Sequence, residues 1–382
     1  MQWINSSDSH ILEPEGLFEK ALGKRFKDTP RYVDGYKGVK AKFYFTGYEY
    51  IRIDEIVEGG SDPAKQALQD ELIRASKDPY VRLKCLDRDG VWAEILNSTW
   101  MLYTMRAPDD RMVEACCQVY NDWIAEHASA DPRRLYGTAM IHMADVGWAA
   151  KELKRVAKKG LRSVLINCDT RPDWPLYQEK QYDRFWAAAQ EADMPVTLHI
   201  ITGNVKDLFT FHGDERKKIP GETIKLLQEA GPVVANEFIF GGIMDRFPKL
   251  KIVCSEFEVS WLPYWMFRVH QLQHALGPAM HIKLPKKPVE TYYSRIFHGL
   301  VDDSEFKLVW KKLPLKNIAW GSDFPHARCT YPNSQKVVKQ VFKGLPQKVV
   351  DDLTYYNVAE YYNMTLPKSR EIKKNGLKLA AE

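Results

Sequence analysis

Asp8 and His10 stand two residues apart near the start of the chain, and alternation along an extended strand puts both side chains on one side. His199 closes the run Pro195-Val196-Thr197-Leu198, and Asp323 lies within Gly321-Ser322-Asp323-Phe324-Pro325-His326. The four supply two imidazoles and two carboxylates, a donor set that suits Zn²⁺, Mn²⁺ or Fe²⁺ and leaves room for water. Each residue alone also has an ordinary structural use. Asp8 could cap a turn, His10 could donate to a backbone carbonyl, His199 could be a satisfied core histidine and Asp323 a turn residue. Their joint placement favours one metal site built from Asp8, His10, His199 and Asp323.

That placement follows from the elements that carry them. Short apolar runs predict strands at Trp3 to Ser7, Val91 to Leu96, Leu135 to Ile141, Ser163 to Ile166, Pro195 to Leu198, Lys251 to Cys254, Ser294 to Phe297 and Asn317 to Trp320. Amphipathic stretches predict helices at Pro79 to Arg88, Asp110 to Ala130, Ala144 to Lys159, Tyr182 to Ala192, Glu222 to Phe247, Val259 to Ala275, Ser304 to Leu313 and Asn333 to Tyr362. Repeated βα units imply a parallel sheet, and this number of them implies a closed (β/α)8 TIM barrel with an insertion after the first strand. No GxGxxG or GxxxxGK[ST] follows the first strand, which weakens a nucleotide-binding alternative.

In such a barrel the strand C-termini share one face, and that face carries the chemistry. The predicted strands run in turn into Asp8-Ser9-His10, Asn97, His142, Asn167, His199, Glu256, His298 and Asp323. Every end is polar, and a buried unpaired charge is costly, so the pattern asks for a compensating ion. His142, His298 and His326 fall near the same face as candidate proton shuttles, substrate contacts or partners of the ligands. His127, His212, His270, His274 and His281 fall on helices or loops as surface or packing residues.

Composition sets the background. The chain has 382 residues, 45% hydrophobic and 27% charged, ordinary for a globular protein. The net charge is +5, but residues 365–382 hold five Lys or Arg against two Glu, leaving 50 basic and 48 acidic side chains elsewhere. That balance offers no basic face for nucleic acid. Six scattered cysteines without a CxxC pair predict free thiols in a reducing compartment. With no apolar leader and no apolar run near ~20 residues, the expectation is a cytoplasmic protein without a membrane contact. We read residues 1–364 as one barrel domain, 17–79 as a lid or dimerisation segment, and 365–382 as a solvated basic tail. The loop from Thr202 to Gly221 is a second candidate cover.

Asp8-Ser9-His10, Thr197-Leu198-His199, Ser255-Glu256 ahead of Trp261-Leu262-Pro263, and the Gly321-to-His326 element together resemble the amidohydrolase superfamily. The chain is most similar to the branch containing aminocarboxymuconate-semialdehyde decarboxylase and related aromatic acid decarboxylases, from Trp3 to about Met364. The resemblance implies a distorted (β/α)8 barrel, a homodimer and one divalent metal at the strand C-termini. His10 matches the second histidine of the first-strand HxH motif, Asp8 replaces the first, and His199 and Asp323 match the fifth- and eighth-strand ligands. Where many relatives place a histidine after the sixth strand, this chain has Glu256. Binuclear branches use a carbamylated lysine ending the fourth strand; Ser163 to Asn167 contains no lysine, so a single ion is expected, zinc first, manganese or iron as alternatives.

Bound to such an ion, water falls in pKa from near 15.7 toward ~7, with Asp323 as general base and Glu256 orienting the water or acting as an acid. The first reading is therefore hydrolysis of an ester, thioester, amide or activated C–C bond in a small organic acid. The alternative is non-oxidative decarboxylation of an aromatic or unsaturated acid, and the third reading is a ligand-binding barrel without turnover.

Overall fold

The computed structural model describes residues 1–57, 65–203, 210, 211, 213, 224–226 and 228–372. Strand β1 (Ile4–Ile11) is buried along its whole length. The segment after it, read from the sequence as a lid or dimerisation segment, holds β2 (Arg31–Tyr36), β3 (Val39–Phe45) and β4 (Tyr50–Arg52) in an antiparallel sheet ordered β2-β3-β4, then a helix at Gln66–Lys77. The signal was an alternation in Val39-Lys40-Ala41-Lys42-Phe43, lysines exposed and partners covered, hidden among Gly and Tyr. Only five residues of the second candidate cover fall among those described, and one of them, Phe211, packs on Phe43 at 5.0 Å between ring centroids. The rest of that loop, His212 included, lies outside the described residues.

Seven further strands follow: β5 (Val91–Ser98), β6 (Leu135–Met140), β7 (Ser163–Ile166), β8 (Val196–His199), β9 (Ile252–Ser255), β10 (Ile296–Leu300) and β11 (Ile318–Trp320). With β1 they form an eight-stranded parallel sheet whose order is the chain order, β1-β5-β6-β7-β8-β9-β10-β11. The expected barrel is present and nearly closed. At the seam, the amide of Asp323 donates to the Asp8 carbonyl at 3.0 Å, and that of His10 to the Phe324 carbonyl at 2.6 Å. Gly321 permits this approach, since a Cβ there would meet the Asp8 backbone nitrogen at 2.9 Å.

Local signals start several covering helices. Asp78 caps Pro79–Asp89, with Tyr80 N–H donating to its side chain at 2.8 Å, and Gly90 ends that helix at φ 75. Asp145 caps Val146–Lys158 in the same way, at 2.7 Å from the Gly147 amide. Two long predicted helices are broken. Gly242, at φ 79, separates Val234–Phe240 from Ile243–Arg246, and Gly344 with Pro346 separates Ser334–Val341 from Gln347–Asp351. The tail also departs from expectation over its first residues: Trp3 N–H donates to the Arg370 carbonyl at 2.7 Å, and Arg370 pairs with Asp351 at 2.7 Å. Residues 373–382 lie outside the described residues. All six cysteines are free, as expected.

One buried ion pair fixes the carboxyl end of β1. Arg82 and Glu94, both fully buried, form a two-pronged pair, with Arg82 Nη2 at 2.9 Å from Glu94 Oε2. Arg82 Nη1 also donates to the His10 carbonyl at 2.7 Å, and its guanidinium covers the Phe324 ring at 4.6 Å. Replacing Glu94 by Gln leaves that guanidinium uncompensated, so Glu94→Gln is expected to lower unfolding stability by about 3–5 kcal/mol. Denaturant titration checks this; a loss under about 1 kcal/mol would mean the pair is not needed to hold the site.

Candidate metal centre and active site

The expected metal ligands gather at the carboxyl ends of their strands, with one reservation about Asp323. Asp8, His10, His199 and Glu256 place one donor atom each within 4.8 Å of one another, and His10, Glu256, Asp323 and His326 do likewise. His10 and Glu256 therefore join two overlapping groups, with Asp8 and His199 on one side and Asp323 on the other. His10 Nε2 lies 3.4 Å from Asp8 Oδ1 and 3.6 Å from Asp323 Oδ1; His199 Nε2 lies 3.6 Å from Asp8 Oδ2 and 3.4 Å from Glu256 Oε2. Two donors about 2.1 Å from one ion at a tetrahedral angle stand about 3.4 Å apart, so these spacings suit a shared cation.

The tautomers are set for it. His10 Nδ1 lies 2.8 Å from the Ser98 carbonyl and His199 Nδ1 3.0 Å from the Ile200 carbonyl. A carbonyl only accepts, so each Nδ1 carries a proton, which leaves each Nε2 to serve as the donor atom toward the centre. Asp8 is held from behind by Asn97 Nδ2 and Ser255 Oγ, each donating at 2.8 Å. Yet His10 Nε2, His199 Nε2 and Glu256 Oε2 are buried without a hydrogen-bond partner, and Asp323 Oδ1 has only His326 Nδ1 beside it, 2.8 Å away. Buried polar atoms are rarely left this way, and the three that group with Asp8 fit a divalent cation.

Electrostatics points the same way. Burial, reinforced by Asp323 and Asp8, holds the Glu256 carboxyl well above the usual carboxylate range. Burial, with Asp8 adding to it and His10 opposing, pushes Asp323 up to about 7. Burial also acts upward on Asp8, but His199 and His10 together outweigh it and keep that carboxyl well below its ordinary value. Three carboxylates in one small volume do not all ionise unless positive charge joins them.

Backbone geometry aims two of these groups. Glu256, just past β9, has φ 66, and Asp323, past β11, has φ 53, conformations that are uncommon for non-glycine residues. A register shift between Ser6 and Ser9 marks a bulge in β1 beside Asp8. Neither feature is visible in the sequence.

The remaining expected residues separate. His326 stacks on His10 at 4.0 Å, with Nδ1 2.8 Å from Asp323 Oδ1 and Nε2 3.0 Å from Thr99 Oγ1. His298 lies outside both donor groups; it is buried, pushed down to about 3 by that burial, and its ring is 6.3 Å from that of Trp261. His142 engages Asp110 at 2.9 Å instead of the centre, and Asn167 donates to the Met105 and Thr202 carbonyls at 3.2 Å. His270 and His274 are exposed beside Glu290, whereas His127 is buried. Sequence reasoning missed Glu13, a buried acid that accepts from the Trp100 and Met101 amides at 3.1 Å and so holds the loop after β5. No local motif announces it. A cavity of about 350 Å³ opens over the donors, walled by Phe257, Trp261, Ser304 and Arg328 with Glu256 and Asp323 at its floor.

A parallel barrel with imidazole and carboxylate donors gathered at its strand C-termini is an arrangement that could hold a divalent cation. The chain belongs to the amidohydrolase family, whose profile matches residues 104–364. Among curated relatives, the gamma-resorcylate decarboxylase of Polaromonas sp. JS666 is 31% identical over 193 residues, 49% of this chain and 58% of that protein. The 2-amino-3-carboxymuconate-6-semialdehyde decarboxylase of Dictyostelium discoideum is 24% identical over 287 residues, 71% of each. The chain thus spans less than two thirds of the first relative's length. Among solved structures, an amidohydrolase from Mycobacterium avium subsp. paratuberculosis K-10 superposes with TM-score 0.75 at 19% identity, over 96% of this chain and 99% of that one. A dihydroxybenzoic acid decarboxylase from Polaromonas sp. JS666, with bound manganese and 2-nitroresorcinol, gives 0.66 at 18% identity over 96% and 99%. The family resemblance read from the sequence is borne out, and the two curated relatives described above are decarboxylases. Among the described residues no helix is long and apolar enough to cross a membrane.

Proposed function

We propose that this chain is a divalent-metal-dependent, non-oxidative decarboxylase of ortho-hydroxylated aromatic acids. The observation that carries the reading is the buried donor group Asp8, His10, His199 and Glu256, three of whose atoms lack a hydrogen-bond partner, beside Asp323, an acid raised to about 7. The choice of reaction reverses the order of the sequence reading, in which hydrolysis stood first: both curated relatives described above are decarboxylases. Manganese, present in a structural neighbour, is the ion to load first, ahead of zinc.

Asp8, His10, His199 and Asp323 would hold the ion, with Glu256 alongside. Bound there, a divalent cation supplies Lewis-acid neutralisation of the substrate's carboxylate and hydroxyl oxygens. Asp323, whose carboxyl is raised to about 7 by burial, donates its proton to the ring carbon that bears the carboxylate. That carbon becomes tetrahedral, its bond to the carboxyl carbon breaks, CO2 leaves, and the electron pair restores the aromatic ring. Asp323, now a carboxylate, regains a proton through His326, whose Nδ1 is 2.8 Å away. Glu256, held neutral, donates a hydrogen bond to a substrate oxygen, and His298 contacts the substrate as a neutral imidazole.

Glu256→Gln keeps the size but removes the acidic proton; metal content is expected to stay near that of the wild type while kcat falls by about 10². Undiminished turnover would remove Glu256 from the mechanism. The family likeness also supports a cytoplasmic homodimer made of one barrel domain over residues 1–364, with the insertion sheet as lid or dimer contact; sedimentation of the holoenzyme checks the subunit count.

The reading as a whole is tested by incubating metal-loaded protein with 2,6-dihydroxybenzoate, p-nitrophenyl esters and acyl thioesters. Released CO2 supports it. Acid released from the esters without CO2 would return hydrolysis to first place, and neither product would favour a ligand-binding barrel.

A further inference from the structure

Apart from the catalytic donors, one further group of metal-ligating side chains converges among the described residues. His270, His274 and Glu290 each place one donor atom within 4.8 Å of the others, and all three are exposed. His270 sits in the helix Leu262–Gln271, and His274 in the π-helical turn Leu272–Leu276 that continues it. Spaced i and i+4 on one helical stretch, the two imidazoles share a face, with ring centroids 4.3 Å apart. Glu290 arrives from another element, the short helix Glu290–Tyr293 ahead of β10, and its Oε1 lies 3.7 Å from His270 Nε2.

The backbone that carries these donors is stapled between them. Gln273 Nε2 donates to the Lys287 carbonyl at 2.8 Å, and the Val289 amide donates to Gln273 Oε1 at 2.9 Å. Both bonds run from the turn that holds His274 to the residues just before Glu290, so the approach of the carboxylate to the imidazoles does not depend on side-chain reach alone. An exposed imidazole–carboxylate contact adds little to stability by itself. A second imidazole at ligand distance from both makes the set two nitrogens and one oxygen, the donors of an open zinc site whose shell water completes. Imidazole nitrogen suits zinc, nickel and copper, whereas manganese and magnesium prefer oxygen.

We propose that His270, His274 and Glu290 form a second metal site, on the protein surface, that takes Zn²⁺ in preference to Mn²⁺. The bound ion clamps the end of the helix that begins beside Trp261 to the segment leading into β10. Exposed and held by three side chains, the site binds more weakly than the catalytic centre and fills only when zinc is added. The inference stands apart from the decarboxylase reading.

Zinc stoichiometry tests it. The manganese-loaded full chain is dialysed against micromolar zinc, and bound metal is counted by elemental analysis for the wild type, His270→Ala, His274→Ala and His199→Ala. Whichever ion then occupies the catalytic centre, the wild type is expected to hold about one more zinc per chain than His270→Ala or His274→Ala, and His199→Ala to keep that zinc. Glu290→Gln should lower the zinc affinity of the site by at least about tenfold. Dialysis against manganese instead should leave the wild type and His274→Ala equal. Equal zinc in the wild type and both surface-histidine variants would overturn the inference. So would loss of the extra zinc in His199→Ala alone, which would assign it to the catalytic centre. Neither result touches the decarboxylase reading.

Discussion

His199→Ala is expected to emerge from purification with less than about a tenth of an ion per chain, against about one for the wild type, and with no measurable turnover. The geometry makes the effect large. His199 Nε2 is 3.6 Å from Asp8 Oδ2 and 3.4 Å from Glu256 Oε2, so it links the two acids on its side of the centre. Removing it takes away a neutral nitrogen donor and leaves carboxylates facing one another across a buried gap. Because ligand that binds only the folded state stabilises it, excess manganese should raise the melting temperature of the wild type and leave that of His199→Ala unmoved. Full metal occupancy in the variant, by elemental analysis, would show that the ion is held elsewhere.

Asp323→Asn should separate binding from chemistry. The amide keeps an oxygen for the ion and the same shape at a strained φ of 53, but it has no acidic proton to give. We expect more than half of the metal to be retained and kcat to fall by about 10³, within the usual span for loss of a positioned acid. The Asp323 carboxyl stands near 7 because burial disfavours its charge, and His326 beside it offers the route for reprotonation. Turnover within tenfold of the wild type would hand the proton to another residue, Glu256 first.

The barrel could be read from the sequence because its strands are apolar runs of the Ser163-Val164-Leu165-Ile166 kind, and buried parallel strands need no alternation to be recognised. The site could be read because polar residues at the ends of such strands have few structural reasons to be there. What stayed hidden depends on chain neighbours far apart in sequence or on backbone angles. The Arg82–Glu94 pair joins a helix to a strand with no motif around either residue. The positive φ of Glu256 and Asp323, which swings both carboxyls toward His10, has no signature in residue type. The grouping of Asp323 with His326 and Glu256, apart from Asp8 and His199, follows from those angles. Gly344 and Pro346, by contrast, were plain stop signals inside a helix predicted to run on to Tyr362.

The fate of the carboxyl carbon tests the central claim most directly. Manganese-loaded enzyme is given a carboxyl-13C-labelled ortho-hydroxybenzoate in D2O, and gas and product are analysed by mass spectrometry. The account predicts 13CO2 together with an arene carrying one deuterium at the vacated carbon, both abolished by chelation of the metal. A carboxyl group retained in the recovered aromatic acid, while a metal-dependent ester or thioester cleavage proceeds in parallel assays, would contradict it.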